Sequence, residues 1–174
     1  LLRGTCARLY RGFYTEQEFD ISNVKKNFSS KDILELGRSC VHPEYRSGII
    51  LKLLWQGISK YIKICKIKIL MGCASFNGTN PSKFKDEFSL LYKSYRLPKS
   101  YNVKSLQDNE ILFGKNVEQS TILNRLPPLI KGYLRAGGMV SENFYIDKEF
   151  ETIDYCVIML TEKIVSRYQD KFLN

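Results

Sequence analysis

Between Ile33 and Ala74 the hydrophobic period of this chain changes twice, and that change limits the fold more than any other feature. Ile33-Leu34-Glu35-Leu36-Gly37-Arg38-Ser39-Cys40-Val41 mixes apolar residues with one Glu and one Arg and stops at Pro43, which cannot continue a ladder, so it reads as a strand. From Ile50 to Lys63 the apolar positions Leu51, Leu54, Trp55, Ile58 and Ile62 recur at helical spacing, while Lys52, Gln56, Ser59, Lys60 and Lys63 take the other face. Lys66 to Ala74 returns to a short β-branched run closing in small residues, a strand that becomes more buried toward its end. Strand, tight loop, helix and strand make a βαβ unit with a parallel pair, which places the chain in the α/β or α+β class.

The flanks are less regular. Gly4 to Tyr14 has room for a short strand, after which Thr15 to Asp20 and Lys25-Lys26-Asn27 read as exposed turns. Phe84, Phe88, Leu91 and Tyr95 have helical spacing after Pro81 and before Pro98, and residues 99 to 120 read as a long connection of the kind that often carries function. A helix opens at Pro127-Pro128 and closes at Gly137-Gly138. Strands follow around Met139 to Ile146 and Ile153 to Leu160, then a last helix capped by Thr161 with Ile164, Val165, Tyr168 and Phe172 on one face. No repeat, linker or low-complexity tract divides the chain, so residues 1–174 read as one domain.

At 174 residues, 44% hydrophobic and 26% charged, the chain can fill one globular core, which excludes wholesale disorder and fibrous repeats. Its best apolar run, Ile49-Ile50-Leu51, meets Lys52 before Leu53-Leu54-Trp55, so nothing approaches the roughly 18 uncharged residues of a membrane span. Lys and Arg number 27 against 18 Asp and Glu, and the net charge of +9 draws anionic partners: nucleic acid, anionic lipid, a nucleotide-bearing cofactor or an acidic protein. Nucleic acid fits least, because the aromatics are not interleaved with Lys and Arg and no recognition helix stands out. Cys6, Cys40, Cys65, Cys73 and Cys156 form no C-x-x-C pair and read as buried cytosolic thiols, and with His42 the single histidine no metal set is expected. Leu1 to Thr5 shows neither a signal-peptide pattern nor an initiating Met; the expectation is a cytoplasmic chain, either processed or part of something longer.

The segment Glu35 to Gly48 runs from a strand through a tight loop into a helix. A helix N-terminus offers unpaired N–H groups and the positive end of a dipole, and Gly48 lets a phosphate-bearing ligand come close. Pro43 and Gly48 equally serve just to turn the chain. Glu35 and Arg38 fall on a strand expected to be buried, where an isolated charge needs a partner or a function. A structural ion pair is one outcome. The other is chemical: forming an amide from an acyl thioester requires an amine to lose a proton, and a carboxylate near the thioester can take it. Covalent transfer through Cys40 or Cys73 is not expected, since His42 beside Cys40 is the one histidine available as base. Asp147 and Asp154 flank a turn between two strands, where aspartate is common for turn chemistry alone. Lys60, Lys63, Lys66 and Lys68 form a basic cluster, either a solvated face or a docking surface for an acidic protein or anionic bilayer.

Val41-His42-Pro43-Glu44-Tyr45-Arg46-Ser47-Gly48, followed by an apolar helix, resembles the acyl-donor loop of the GNAT N-acyltransferase superfamily. The closer resemblance is to the branch of ornithine acyl-[acyl carrier protein] N-acyltransferases. It is carried by Phe13 to Asp20, Glu35 to Gly48, Leu54-Trp55, Gly72 to Phe76, Leu126 to Arg135, and Asp147 with Asp154, in the family's order. The resemblance implies a GNAT-like mixed, twisted central sheet flanked by helices, with a helical insertion after the βαβ unit. It implies transfer of a long (3-hydroxy)acyl group from acyl carrier protein to the α-amino group of ornithine or a related amino acid, giving a lyso-aminolipid.

In that reading Glu35 is the base and Arg38 orients it or binds the acceptor carboxylate, a Glu-x-x-Arg spacing similar to that of the acyl-homoserine-lactone synthases. The strand amide near Val41 faces the thioester oxyanion, and Arg46, Ser47 and Gly48 hold the donor's phosphopantetheine arm. Asp147 and Asp154 match acceptor-side positions, one of them binding the acceptor's amino group. No cofactor is bound permanently; acyl-[acyl carrier protein] or acyl-CoA is the co-substrate. Ile49-Ile50 stands where the superfamily has a second small residue, which suits a carrier-bound arm with its single phosphodiester. Cys6-Ala7 stands where that branch tends to show Tyr-Arg, and the branch has a further stretch before Gly4, so an N-terminally truncated domain is expected. The implied partners are acyl carrier protein, an ornithine-like acceptor and, peripherally, an anionic inner-membrane surface. Other readings remain: a different amine acyltransferase using acyl-CoA or making a signalling amide, a basic nucleic-acid module, or an inactive fragment.

Overall fold

The computed structural model describes residues 1–37, 41–45, 48–111, 113–114 and 118–164. In chain order its elements are β1 (Leu2–Arg3), α1 (Gly4–Ala7), β2 (Phe19–Asp20), α2 (Ser22–Asn27), β3 (Ile33–Glu35), α3 (Gly48–Cys65), β4 (Ile69–Asn77), α4 (Lys85–Leu90), β5 (Lys104–Ser105), α5 (Gln119–Arg125), α6 (Pro128–Arg135), β6 (Met139–Val140), β7 (Tyr145–Asp147) and β8 (Thr152–Leu160). A tight helical turn covers Tyr14–Gln17, and a widened turn over Leu91–Tyr95 carries α4 on to the break before Pro98 that the sequence predicts.

The expected βαβ unit is present. β3 and β4 lie parallel, Ile33 beside Ile69 and Glu35 beside Met71, with α3 as the crossover. The Leu36 N–H adds one more bond to the Met71 carbonyl at 2.7 Å. That approach requires glycine at position 72, because a Cβ there would stand 2.1 Å from the Leu36 carbonyl oxygen. β4 then pairs antiparallel with β8 from Ile69↔Leu160 to Asn77↔Thr152, and the sheet order is β1-β3-β4-β8-β6, with β7 also on β8. A separate ribbon pairs β2 with β5.

The single strand expected over Met139 to Ile146 is broken in two. The Ser141 N–H donates to the Cys156 carbonyl at 2.8 Å, while its hydroxyl accepts from the Cys156 N–H at 3.1 Å and donates to the Asn143 carbonyl at 2.8 Å. A side chain thus replaces a backbone partner, and β6 and β7 become successive segments along the β8 edge.

Alternation along the strands divides the core. Leu34, Leu70, Ala74, Phe76, Tyr155 and Val157 face a layer built on α4, α6 and the inner side of α3, in which Phe88 meets Phe76, Phe144 and Tyr155 at ring-centroid distances of 5.2, 4.9 and 5.3 Å. Ile33, Ile69, Met71, Cys156 and Ile158 face the opposite side, where Phe13, Phe19, Ile21 and Val24 cover them.

Three expectations are corrected here. Thr15 to Asp20 is not an exposed turn: Thr15, Glu18 and Phe19 are buried, because the helical turn rotates the chain and lays it against the sheet. Lys25-Lys26-Asn27 is the end of α2, whose Val24 is buried. α3 has the predicted spacing, but among the described stripe residues only Ile62 is buried; Trp55 and Ile58 are half-buried against the core, and Leu54 is 45% exposed. The cysteines also divide: Cys156 is buried, Cys65 and Cys73 are half-buried, and Cys6 is exposed because the inward positions of α1 are Gly4 and Ala7. All four are free; Cys40 lies outside the described residues. The proposed last helix is described only over 161–164. No described helix is long and apolar enough to cross a membrane.

Candidate active site

The period of two that puts Ile33, Met71 and Ile158 on one face puts Glu35, Cys73 and Asp154 there too. The turn Tyr14–Gln17 lies over them, and Glu35 holds it down. One Glu35 oxygen accepts from the Thr15 N–H at 2.7 Å and the Thr15 hydroxyl at 2.6 Å, and the other accepts from the Tyr14 N–H at 3.1 Å. Glu16 closes the turn from outside, accepting from the Phe13 N–H at 2.9 Å and pairing with Lys25.

The next residue inward is Glu18, at the exit of the turn. It is 3% exposed, and neither carboxyl oxygen accepts a well-formed hydrogen bond, although the Tyr14 phenol and the Cys73 thiol lie against it. Its carboxyl lies with those of Asp147 and Asp154, one oxygen from each within 4.8 Å of the others. Asp147, at the end of β7, uses one oxygen to accept from the Glu149 and Phe150 N–H groups at 2.8 and 2.9 Å, closing the turn into β8. Asp154 is buried on β8 beside Ser75 of β4, with Oδ1 unpartnered. Burial, reinforced by the neighbouring aspartates, pushes Glu18 from the ordinary glutamate value of 4.5 up to about 7. Burial also raises Asp154, and it holds the Tyr14 phenol and the Cys73 thiol in their protonated forms.

Tyr14, Glu18 and Asp147 open onto a cavity of about 540 Å³, with Gln107, Tyr145 and Lys148 among its other walls. That is the scale of a small-molecule site. Gln107 stiffens the wall, donating to the Ile146 carbonyl at 3.0 Å and accepting from the Ile146 N–H at 2.9 Å, so a side chain from the long connection acts as a strand partner for β7. A compact cation is the ligand such an acidic floor accepts.

Asp147 and Asp154 are therefore brought together, seven residues apart across a turn. Glu35 lies one layer behind, touching the turn that bears Tyr14. Val41 is half-buried in the loop leading to α3, and Gly48 is the first residue of that helix. His42 is exposed, 4.0 Å from the Glu44 carboxylate. Arg38, Arg46 and Ser47 lie outside the described residues. Sequence reasoning missed Glu18 and Tyr14, because the acidic run Glu16-Gln17-Glu18-Phe19-Asp20 reads as an exposed turn. The signal available was the buried company of Phe13, Phe19 and Ile21 in the same segment.

This architecture, a mixed sheet flanked by helices with a parallel βαβ unit, is GNAT-like, and residues 1–56 match the family described as Acetyltransferase (GNAT) domain. The chain is more particularly a homologue of proteins named L-ornithine N(alpha)-acyltransferase. It is 37% identical to that of Brucella abortus, over 97% of this chain and 61% of the relative. Identity is 31% to that of Rhodobacter capsulatus, over 98% and 66%, and 36% to that of Rhizobium meliloti, over 97% and 58%. The chain thus spans about three fifths to two thirds of the length of these relatives. No solved structure matches it significantly. The resemblance and fold expected from the sequence are borne out.

Proposed function

We propose that the chain is an N-acyltransferase that moves a long (3-hydroxy)acyl group from the thioester of an acyl carrier protein to the α-amino group of ornithine or a close relative, giving a lyso-aminolipid. The observation that carries this reading is the buried carboxylate cluster, of which Glu18 and Asp147 line the cavity and Asp154 lies directly behind them, in a chain aligned along nearly its whole length with proteins named for N-acylation of ornithine. Such a cluster suits an amino-acid acceptor better than an acyl chain or a nucleotide.

On the donor side, the loop from Val41 leads to the N-terminus of the 18-residue α3, whose free N–H groups suit a single phosphodiester. Arg46, Ser47 and Gly48 hold that group in this reading, and the Val41 amide faces the oxyanion. Arg38 binds the acceptor carboxylate or orients Glu35. The exposed Lys60, Lys63, Lys66 and Lys68 present the charge an acidic carrier protein recognises, and the same face, with exposed Ile49 and Leu53 on α3, suits peripheral contact with an anionic membrane.

The test is incubation of the purified chain with 3-hydroxyacyl carrier protein and ornithine, read by mass spectrometry. Acyl-ornithine, formed from the carrier thioester faster than from acyl-CoA and more slowly as salt rises, is the expected result. Acylation from acyl-CoA alone would move the chain to the coenzyme A-dependent amine acyltransferases. Absence of any acylated amine overturns the reading.

A further inference from the structure

We propose that Glu18 is the base of this reaction and that Glu18, Asp147 and Asp154 together select a diamino acid as acceptor, an inference that deepens the acyl-transfer reading and rests on it. The buried carboxylates set the argument. Asp32 accepts from the Ser29 hydroxyl at 2.8 Å and faces Lys68 at 3.6 Å; Glu87 pairs with Arg125 at 3.0 Å; Glu35 has three donors; Asp147 has two. Glu18 differs from all of these in that neither oxygen accepts a well-formed hydrogen bond, and Asp154 in having one oxygen unpartnered, although both are more than nine-tenths buried. Acidic groups held together in this way need a cation, and the one basic side chain among the described cavity walls is Lys148, exposed at the edge.

An ammonium group is the cation that fits. It is compact and offers three donors to oxygens drawn from three side chains. The amine to be acylated cannot keep that role, because it must become neutral to react. A second ammonium on the same acceptor can. Asp147 and Asp154 hold this one, while Glu18, on the Tyr14 side of the cavity, meets the α-amino group.

The Glu18 carboxylate takes one proton from the α-ammonium. The freed nitrogen lone pair forms a C–N bond to the thioester carbonyl, and the C–S bond breaks as the tetrahedral intermediate collapses. The second nitrogen proton goes to the departing thiolate, giving the carrier thiol, and Glu18 later releases its own proton to solvent. A base works best when its proton affinity lies near the working pH, and burial brings Glu18 to about 7. The titratable groups facing it are Tyr14 from the turn, Cys73 from β4, Asp147 from β7, and Asp154 and Cys156 from β8. Tyr14 and both thiols are pushed upward and stay protonated, so they do not compete for the role. Glu35 is a positioning residue here: both of its oxygens are taken by the donors of Tyr14 and Thr15.

The test compares the full chain with Glu18→Gln and Asp154→Asn, using two probes: ornithine, and norvaline, which has a methyl group in place of the second ammonium. In thermal-shift titration ornithine should raise the wild-type Tm and norvaline should not, and Asp154→Asn should weaken the ornithine effect at least ~10-fold, the cost of roughly one charge-assisted hydrogen bond. In acyl transfer Glu18→Gln should lower kcat by about 10²–10⁴-fold and abolish the rise in rate through pH 7, with its melt still cooperative. Asp154→Asn should chiefly raise KM for ornithine.

Glu18→Gln at the wild-type rate and pH profile would falsify the base assignment while leaving acyl transfer intact. No transfer by the wild type, with ornithine-selective binding retained, would remove the base role along with the transfer reading and leave the diamine pocket standing. Stabilisation by micromolar Mg²⁺ or Mn²⁺ instead of ornithine, lost in Glu18→Gln, would overturn the diamine assignment in favour of a metal site.

Discussion

Two glutamates lie on either side of the same helical turn, equally inaccessible at 3% exposure, and their surroundings are opposite. Glu35, beneath the turn, receives three hydrogen bonds from Tyr14 and Thr15. Glu18, at the exit of the turn, accepts no well-formed hydrogen bond and sits with two further carboxyls at the edge of a cavity. Burial is therefore not what separates a reactive carboxylate from a structural one. The number of well-formed donors aimed at it is, because each donor fixes the side chain and occupies an oxygen, while their absence leaves the oxygens available to a ligand.

The comparison would break most visibly in catalysis. Glu18→Gln should reduce turnover by about 10²–10⁴-fold, roughly 3–5 kcal/mol of barrier, without lowering the melting temperature. Next in size is the mirror experiment on stability: Glu35→Ala strands two backbone N–H groups and a hydroxyl, each costing about 1–3 kcal/mol, so urea unfolding should show a loss of about 3 kcal/mol or more.

A third measurement sharpens the difference through pH. Because the Glu18 carboxyl is raised from 4.5 to about 7, protons bind the folded chain more tightly than the unfolded one; its stabilising contribution is fully present below about 4.5 and is lost as pH rises through about 7. Asp154 is raised in the same direction. Asp20 and Asp32, both lowered by their hydrogen bonds, act at pH below this window. The wild type should accordingly melt at a lower temperature at pH 8 than at pH 5, and Glu18→Gln should flatten that slope. Thr15→Val is the smallest change: losing one hydroxyl donor to Glu35 should cost about 1 kcal/mol in urea unfolding and leave the pH slope due to Glu18 in place.

Much of the frame is legible in the residues. The βαβ unit follows from the period change between Ile33 and Ala74, and α6 is bounded as Pro128 and the Gly137-Gly138 pair suggest. What escapes is structure made by side chains standing in for backbone. Ser141 cuts one expected strand into β6 and β7, and Gln107 acts as a strand partner from inside an apparent loop. No periodicity records either substitution. α3 shows the opposite failure, since its apolar stripe is real but only partly covered, leaving Leu54 half exposed. In the site, Asp147 and Asp154 stand out as a pair only through resemblance, and their meeting with Glu18 joins positions more than a hundred residues apart. Glu18 is hidden because the four-residue turn Tyr14–Gln17 lays an exposed-looking segment against the sheet.

The Glu35 clamp reaches across about twenty residues of sequence, and the carboxyls around Glu18 come from the far end of the chain. Contacts of such separation close long loops and depend on both ends of the chain being in place at once. A chain caught partway would carry Glu18 as an ordinary solvated acid, ionised at neutral pH and without its two neighbours. The proton affinity on which this base depends is thus a property of the completed tertiary structure, and it vanishes with the first local opening that lifts residues 13 to 20 from the sheet.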